Sequence, residues 1–167
     1  MQLVFLGVND VGEQIHDWLR DRDNVTVLEL IETKENLGLV KELHPDIVVS
    51  VGYDYLVPSD ILSIPEKGCV NLHPSYLPYN RGKSPNVWSI VEDTPAGVTL
   101  HYMDEEFDTG EIIAQRRIET DFSDTGKDLH DRLENTQLDL FKETWSDIET
   151  GDIETTSQSR DEGSYHS

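Results

Sequence analysis

Asn71 and His73 stand two residues apart in the run Gly68-Cys69-Val70-Asn71-Leu72-His73-Pro74. A carboxamide and an imidazole together can donate hydrogen bonds and move protons. The side-chain period of a strand is two, so Val70 and Leu72 point to one face while Asn71 and His73 point to the other. Pro74 disfavours helical dihedrals at His73 and holds it extended as the chain leaves the strand. If this strand is central in an open α/β sheet, its carboxyl end opens on the crevice where such sheets bind ligands. The plain alternative is a buried Asn and His satisfied by neighbouring backbone.

Positioning that pair requires a sheet, and the chain supplies the strands. Residues 2–7, 25–31 and 46–52 are β-branched, mostly apolar runs of the kind expected for strands buried on both faces of a parallel sheet. Between the first two, Asn9 or Asp10 caps a helix whose stripe is Val11, Ile15, Trp18 and Leu19. Leu37, Val40 and Leu43 mark a shorter helix, and Pro58-Ser59 opens another turn of helix that Pro65 closes. Ser84-Pro85 reads as an N-cap followed by proline at the first helical position, with Val87, Trp88 and Val91 expected to face inward. Strands at 97–103 and 112–119 flank a loop rich in Asp and Glu. The longest helix spans 125–148 on the stripe Leu129, Leu133, Leu140, Phe141, Trp145 and Ile148. This pattern predicts an α/β fold with a doubly wound, mostly parallel sheet of Rossmann-like topology. One domain is expected over 1–149, and an irregular or partly disordered tail over 150–167.

With 167 residues the chain suffices for one domain with a real core. Its 34 Asp and Glu against 13 Lys and Arg give a net charge of −21, which repels nucleic acid. Strong apolar runs argue against disorder, so the excess reads as an acidic surface suited to a salty cytoplasm. Cys69 is the single cysteine, without disulfide or zinc companions, and fits a reducing, cytoplasmic setting; no metal site is expected. The apolar run Leu3–Leu6 is too short for a signal peptide or membrane span, so neither export nor membrane insertion is expected.

Two further features face the crevice. The turn Gly7-Val-Asn-Asp-Val-Gly12, containing Asn9 and Asp10, places glycines between strand and helix where backbone N–H groups can meet an anion, although it is neither a dinucleotide fingerprint nor a P-loop. Arg81 and Lys83 flank Gly82 just after the Asn71/His73 strand, in a chain where basic residues are scarce.

The motif "NLHPSYLPYNRG" followed by "GVTLHYMDEEFDTGEIIAQ" resembles the catalytic domain of the formyltransferases that use N10-formyltetrahydrofolate, over roughly 45–145. The resemblance implies a formyltransferase fold and transfer of a formyl group to a primary amine, with the folate as co-substrate. Its catalytic trio falls on Asn71, His73 and Asp108; taken alone, Asp108 would pass for part of a solvated acidic turn. Attack of an amine on the formyl carbon creates an oxyanion, for which the Asn71 amide and a protonated His73 are suitable donors. Asp108 then supports the charged His73 and receives the amine's proton, directly or through water. The resemblance also places the pterin against Tyr55, Leu56 and Val57 on one side and Asp104 and Glu105 on the other. Gly110 is expected to permit the tight exit from the loop, and His101 to stand just behind the trio. Arg81 and Lys83 become a clamp for an acceptor phosphate or the folate glutamate tail, or else surface charges paired with acids. With Asn9 and Asp10 they form the expected acceptor side.

Only residues 32–43 separate two strands where the family carries a further strand-helix unit, so the fold is expected to be shortened by about one such unit. The chain also ends where methionyl-tRNA enzymes continue into an RNA-binding domain, which together with the charge suggests a small acceptor. "NRGKSPNVWSI" and "QSRDEGSYH" look most like enzymes acting on amino sugars attached to nucleotides. Methionyl-tRNA or glycinamide ribonucleotide transfer, a formyltetrahydrofolate hydrolase and a folate-binding protein without turnover are the other readings; a homodimer is compatible with each.

Overall fold

The computed structural model describes residues 1–7, 9–159 and 161–167. In chain order the elements are β1 (Gln2–Leu6), α1 (Asp10–Arg20), β2 (Thr26–Ile31), α2 (Leu39–Leu43), β3 (Ile47–Val51), α3 (Ser59–Leu62), β4 (Cys69–His73), β5 (Arg81–Gly82), α4 (Pro85–Glu92), β6 (Ala96–Tyr102), β7 (Ile112–Ile118), α5 (Gly126–Thr150) and β8 (Tyr165–His166). Six strands form one sheet in the order β2-β1-β3-β4-β6-β7. The first four are parallel; β6 runs antiparallel to β4, and β7 to β6.

Alternation along β1 and β3 feeds two cores. Leu3, Phe5, Ile47 and Val49 point to the layer beneath α1 and α5, and Val4, Leu6 and Val48 to the layer holding Leu37, Val40, Val57 and Ile61. The stripe of α5 is buried as its spacing requires, and Trp18 of α1 meets Phe141 edge-on at 6.2 Å between ring centroids. Thr125 closes a capping box with Asp128, so the helix occupies Gly126–Thr150, two residues beyond the predicted end. Among the described residues no helix is long and apolar enough to cross a membrane.

Three expectations need correction, for β2, α4 and Gly110. β2 is not buried on both faces: it is the edge strand, with β1 on one side and no strand beyond it among the described residues, and Thr26, Glu29 and Leu30 are exposed. α4 does not turn its apolar residues inward; Val87 and Val91 are exposed, with Ile90, and the helix buries Pro85 and Ser89 instead. Ser84 enters it at φ 53 with no side-chain cap, and half-buried Trp88 stacks on His166 at 3.9 Å. The tail is built into the fold, with Thr156 bridging Ile112 and β8 pairing with β5, since its backbone groups find partners there. Gly110 has an ordinary φ; a Cβ there would lie 1.7 Å from the Tyr102 carbonyl oxygen, so close approach rather than turn conformation demands glycine.

Phe141 is fully buried between Trp18 and Trp145. Phe141→Ala is expected to lower the free energy of unfolding by about 3–5 kcal/mol, read from urea denaturation.

Candidate active site

The carboxyl ends of β1, β3 and β4 meet in a cavity of about 800 Å³ lined by Asn9, Gly52, Asn71, His73, Lys83 and Asp108 among others. It lies where the connections from neighbouring parallel strands diverge, the place open α/β sheets use for ligands. The β4–β6 register sets Asn71 opposite His101 and His73 opposite Thr99. Cross-strand neighbours stand within about 5.5 Å at Cβ, so the antiparallel β6 delivers the second histidine to the asparagine. Thr99 fixes the chain after the strand: its hydroxyl donates to the Ser75 carbonyl at 2.8 Å and accepts the Leu77 N–H at 3.2 Å.

Four side chains converge. Asp108 Oδ1 lies 3.4 Å from Asn71 Nδ2, 3.5 Å from His73 Nδ1 and 3.5 Å from His101 Nε2. Asn71 Nδ2 is also 3.2 Å from His101 Nε2, whose ring presents Nδ1 to the Tyr102 carbonyl at 2.8 Å. His73 presents its other nitrogen, Nε2, to the Asn80 carbonyl at 3.1 Å. Both His73 nitrogens therefore face oxygen acceptors. The Gly82 N–H donates to Asp108 Oδ2 at 3.0 Å.

Asp108 is 9% exposed. Burial raises its pKa, but the charge of His73, the hydrogen bond and charge of His101 and the Gly82 N–H outweigh it and bring the carboxyl down to about 2. It is therefore an anion throughout the neutral range, held among donors and shielded from bulk water. Burial pushes the Cys69 thiol up to about 12, so that residue offers no thiolate.

The remaining expected site residues divide. Tyr55, Leu56, Val57 and Asp104 line the same cavity as the central cluster. The Asp104 carboxylate accepts from the Thr109 hydroxyl at 2.5 Å and the Glu106 N–H at 3.0 Å, which folds the acidic loop on itself. Glu105 does not line that cavity; it borders a smaller one of about 390 Å³ with Arg81, Leu56, Phe107 and Tyr165. Arg81 and Lys83 are thereby separated, and of the two only Lys83 lines the main cavity; Gly82 between them, at φ 91, breaks the strand alternation that would put both on one face. Neither forms an ion pair among the described residues, and the Arg81 Nε is buried without a hydrogen-bond partner. Asn9 lines the main cavity while its side chain accepts the Gly12 N–H at 2.7 Å; Asp10, exposed in the first turn of α1, does not line it. Within the glycine turn, Val8 lies outside the described residues.

Sequence reasoning undervalued His101, although its alternation along β6 placed it on the correct face. It missed the Asn80 carbonyl, the Gly82 N–H and Gln158, whose amide donates to the Asp108 and Gly110 carbonyls at 3.0 and 2.7 Å. No sequence signal marks a tail glutamine for such a place.

Comparison with known proteins agrees with this geometry. The family model described as Formyl transferase matches residues 19–144. The methionyl-tRNA formyltransferase of Clostridioides difficile (strain 630) is 36% identical over 163 residues, which is 96% of this chain and 51% of that protein. The chain thus spans about half the length of the curated relatives it matches. The formyltransferase PseJ from Anoxybacillus kamchatkensis, solved in complex with UDP-4,6-dideoxy-4-formamido-L-AltNAc and tetrahydrofolate, superposes with a TM-score of 0.86 at 35% identity, covering 99% of this chain and 85% of that one. Phosphoribosylglycinamide formyltransferase from Bacillus halodurans superposes with a TM-score of 0.66 at 25% identity, covering 84% and 91%. The fold, the matched span and the degree of identity together establish that this chain belongs to the formyl transferase family.

Proposed function

We propose that the chain transfers the formyl group of N10-formyltetrahydrofolate to the amine of a nucleotide-linked amino sugar. The observation that carries the chemistry is the buried Asn71–His73–Asp108–His101 cluster at the floor of the strand-edge cavity. The amine lone pair forms a bond to the formyl carbon and the carbonyl electrons move to oxygen. The imidazolium of His73 and the Asn71 amide donate to that oxyanion, each by giving up its long contact with Asp108, 3.5 Å and 3.4 Å, at the weak end of the hydrogen-bond range. Asp108 takes a proton from the attacking nitrogen, directly or through water. Collapse breaks the bond to N10, which leaves with a proton as tetrahydrofolate, and the acceptor becomes a formamide. Tyr55, Leu56, Val57 and Asp104 hold the pterin beside the cluster, with Glu105 flanking it from the smaller cavity.

The sugar-nucleotide acceptor is supported by the similarity to PseJ over nearly the whole of this chain. Lys83, on the cavity wall without an acidic partner among the described residues, suits a diphosphate in a protein of charge −21. The similarity to methionyl-tRNA formyltransferases favours a tRNA acceptor instead. The charge opposes that reading, since tRNA is held largely through its phosphates.

Release of tetrahydrofolate should be followed with UDP-linked amino sugars, methionyl-tRNA, glycinamide ribonucleotide and a control without amine. Fast turnover on an amino sugar nucleotide is expected. Fastest turnover on methionyl-tRNA overturns the acceptor assignment, and equal release without amine makes the protein a hydrolase. Asp108→Asn should lower turnover by about two orders of magnitude or more, and near-native activity would refute the assigned role.

Lys83→Ala is expected to raise the acceptor KM several-fold with kcat nearly unchanged, because a phosphate contact lies far from the reacting carbon. An unchanged KM for the sugar nucleotide would move the phosphate site elsewhere.

The depressed carboxyl also links stability to pH. Its folded value of about 2 lies below the ordinary 3.8, so ionised Asp108 stabilises the fold fully above that ordinary value, and the contribution is lost as pH falls toward 2. The shift corresponds to about 2 kcal/mol. Urea denaturation between pH 2 and 6 should show that slope in the native protein and a shallower one in Asp108→Asn.

A further inference from the structure

We propose that the tail from Thr156 to His166 belongs to the catalytic apparatus, with Gln158 and Ser164 as positioning residues that hold Asp108 and His73 in their working orientations. The proposal rests on the reading that Asp108 and His73 perform the transfer. Arg160, within the same segment, lies outside the described residues.

The segment is tied to the domain at both ends by main-chain bonds. Ile112 and Thr156 exchange N–H and carbonyl at 2.8 and 2.9 Å. At the other end Arg81 N–H donates to the Ser164 carbonyl at 2.9 Å and Lys83 N–H to the His166 carbonyl at 2.8 Å. A strap fixed in this way presents its intervening side chains at set positions, and two of them reach the catalytic pair.

Gln158 uses its amide nitrogen on the carbonyls of Asp108 and Gly110. Asp108 has φ 58, in the left-handed region that non-glycine residues rarely adopt. A return to the right-handed region would rotate the carboxylate away from His73 and His101. The paired donation by Gln158 to the carbonyls on either side of Thr109 opposes that rotation. The Gln158 Oε1 is buried with no partner among the described residues, a destabilising arrangement for a residue kept only for stability.

Ser164 does the equivalent for His73. Its hydroxyl oxygen accepts the Asn80 N–H at 2.9 Å and its O–H reaches Asn80 Oδ1 at 3.3 Å. Asn80 is also left-handed, at φ 57, and is the residue whose carbonyl faces His73 Nε2. The β8–β5 pairing then aims the Gly82 N–H at Asp108 Oδ2. A Cβ on Gly82 would lie 2.0 Å from the His166 carbonyl oxygen, so the close approach of the tail itself requires glycine there. Two residues in the left-handed region, Asp108 itself and Asn80 behind His73, are thus both secured by one segment.

The test uses Gln158→Met, which keeps length and loses the donor, and the milder Ser164→Ala, with active sites counted by tetrahydrofolate binding. If Gln158→Met does not fold, Gln158→Asn takes its place, its amide drawn back by one methylene. Each variant is expected to lower kcat for a UDP-linked amino sugar roughly tenfold with the donor KM unchanged. In an Asp108→Asn background Gln158→Met should cost nothing further, because its effect passes through that carboxylate; a purely structural role would give additive losses. Independently of turnover, the carboxyl carbon resonance of Asp108 should titrate at higher pH in Gln158→Met, moving toward the ordinary carboxylate range as donors are lost. Native kcat per active site in both variants, additive losses, or an unmoved titration overturns the proposal. Near-native turnover of Asp108→Asn instead sinks the catalytic assignment, and the resonance still reports whether the tail positions the carboxylate.

Discussion

A buried carboxylate governs the rest of this structure. Removing the Asp108 anion from water carries a penalty of several kcal/mol unless donors replace the lost hydration. The fold supplies them from four places: Asn71 and His73 on β4, His101 on β6 and the Gly82 N–H in β5. Without these donors the carboxyl would take up a proton, and the site would lose both its charge and the means to orient His73. The chain's only free choice is where along the sequence the donors sit. The sheet order then has to bring them together.

That requirement explains why the sheet changes direction after β4. A further parallel strand would need a crossover on one face, whereas an antiparallel β6 returns from α4 directly beside β4 and sets His101 across from Asn71. The acidic loop following β6 then lands at the carboxyl end of β4, carrying Asp108. Gly110 lets the next strand begin against the Tyr102 carbonyl, so the loop stays short enough to keep the aspartate over the histidines.

The surface electrostatics work in the opposite sense to the site. A chain of charge −21 repels anionic ligands at long range, and folates and nucleotides are anions. Two cations without an ion pair among the described residues stand at the cavities: Lys83 on the larger one and Arg81 on the smaller. The exposed apolar face of α4, formed by Val87, Ile90 and Val91, stands outside this arrangement.

Strand periodicity determined most of the frame. The runs at β1, β3 and β4, the stripe of α5 and the placement of Asn71 and His73 on one face follow from side-chain period and apolar content, which are local properties. The resemblance of the two motifs quoted above singled out Asp108, which period alone would have left in a solvated turn. Tertiary structure decided what depends on partners distant in sequence. The edge position of β2 follows from which strand fails to cover it, and the outward face of α4 from how its entry at Ser84 turns the helix. For the tail, a polar and aperiodic composition leaves two readings open, an irregular surface strap or a partly disordered segment. Its order comes from bonds to Ile112, β5, Asn80 and Asp108, all at long range. A polar segment satisfied by distant backbone has no apolar rhythm to announce it, so local pattern places Asn71 and His73 on one face while only the folded chain shows what surrounds them and Asp108.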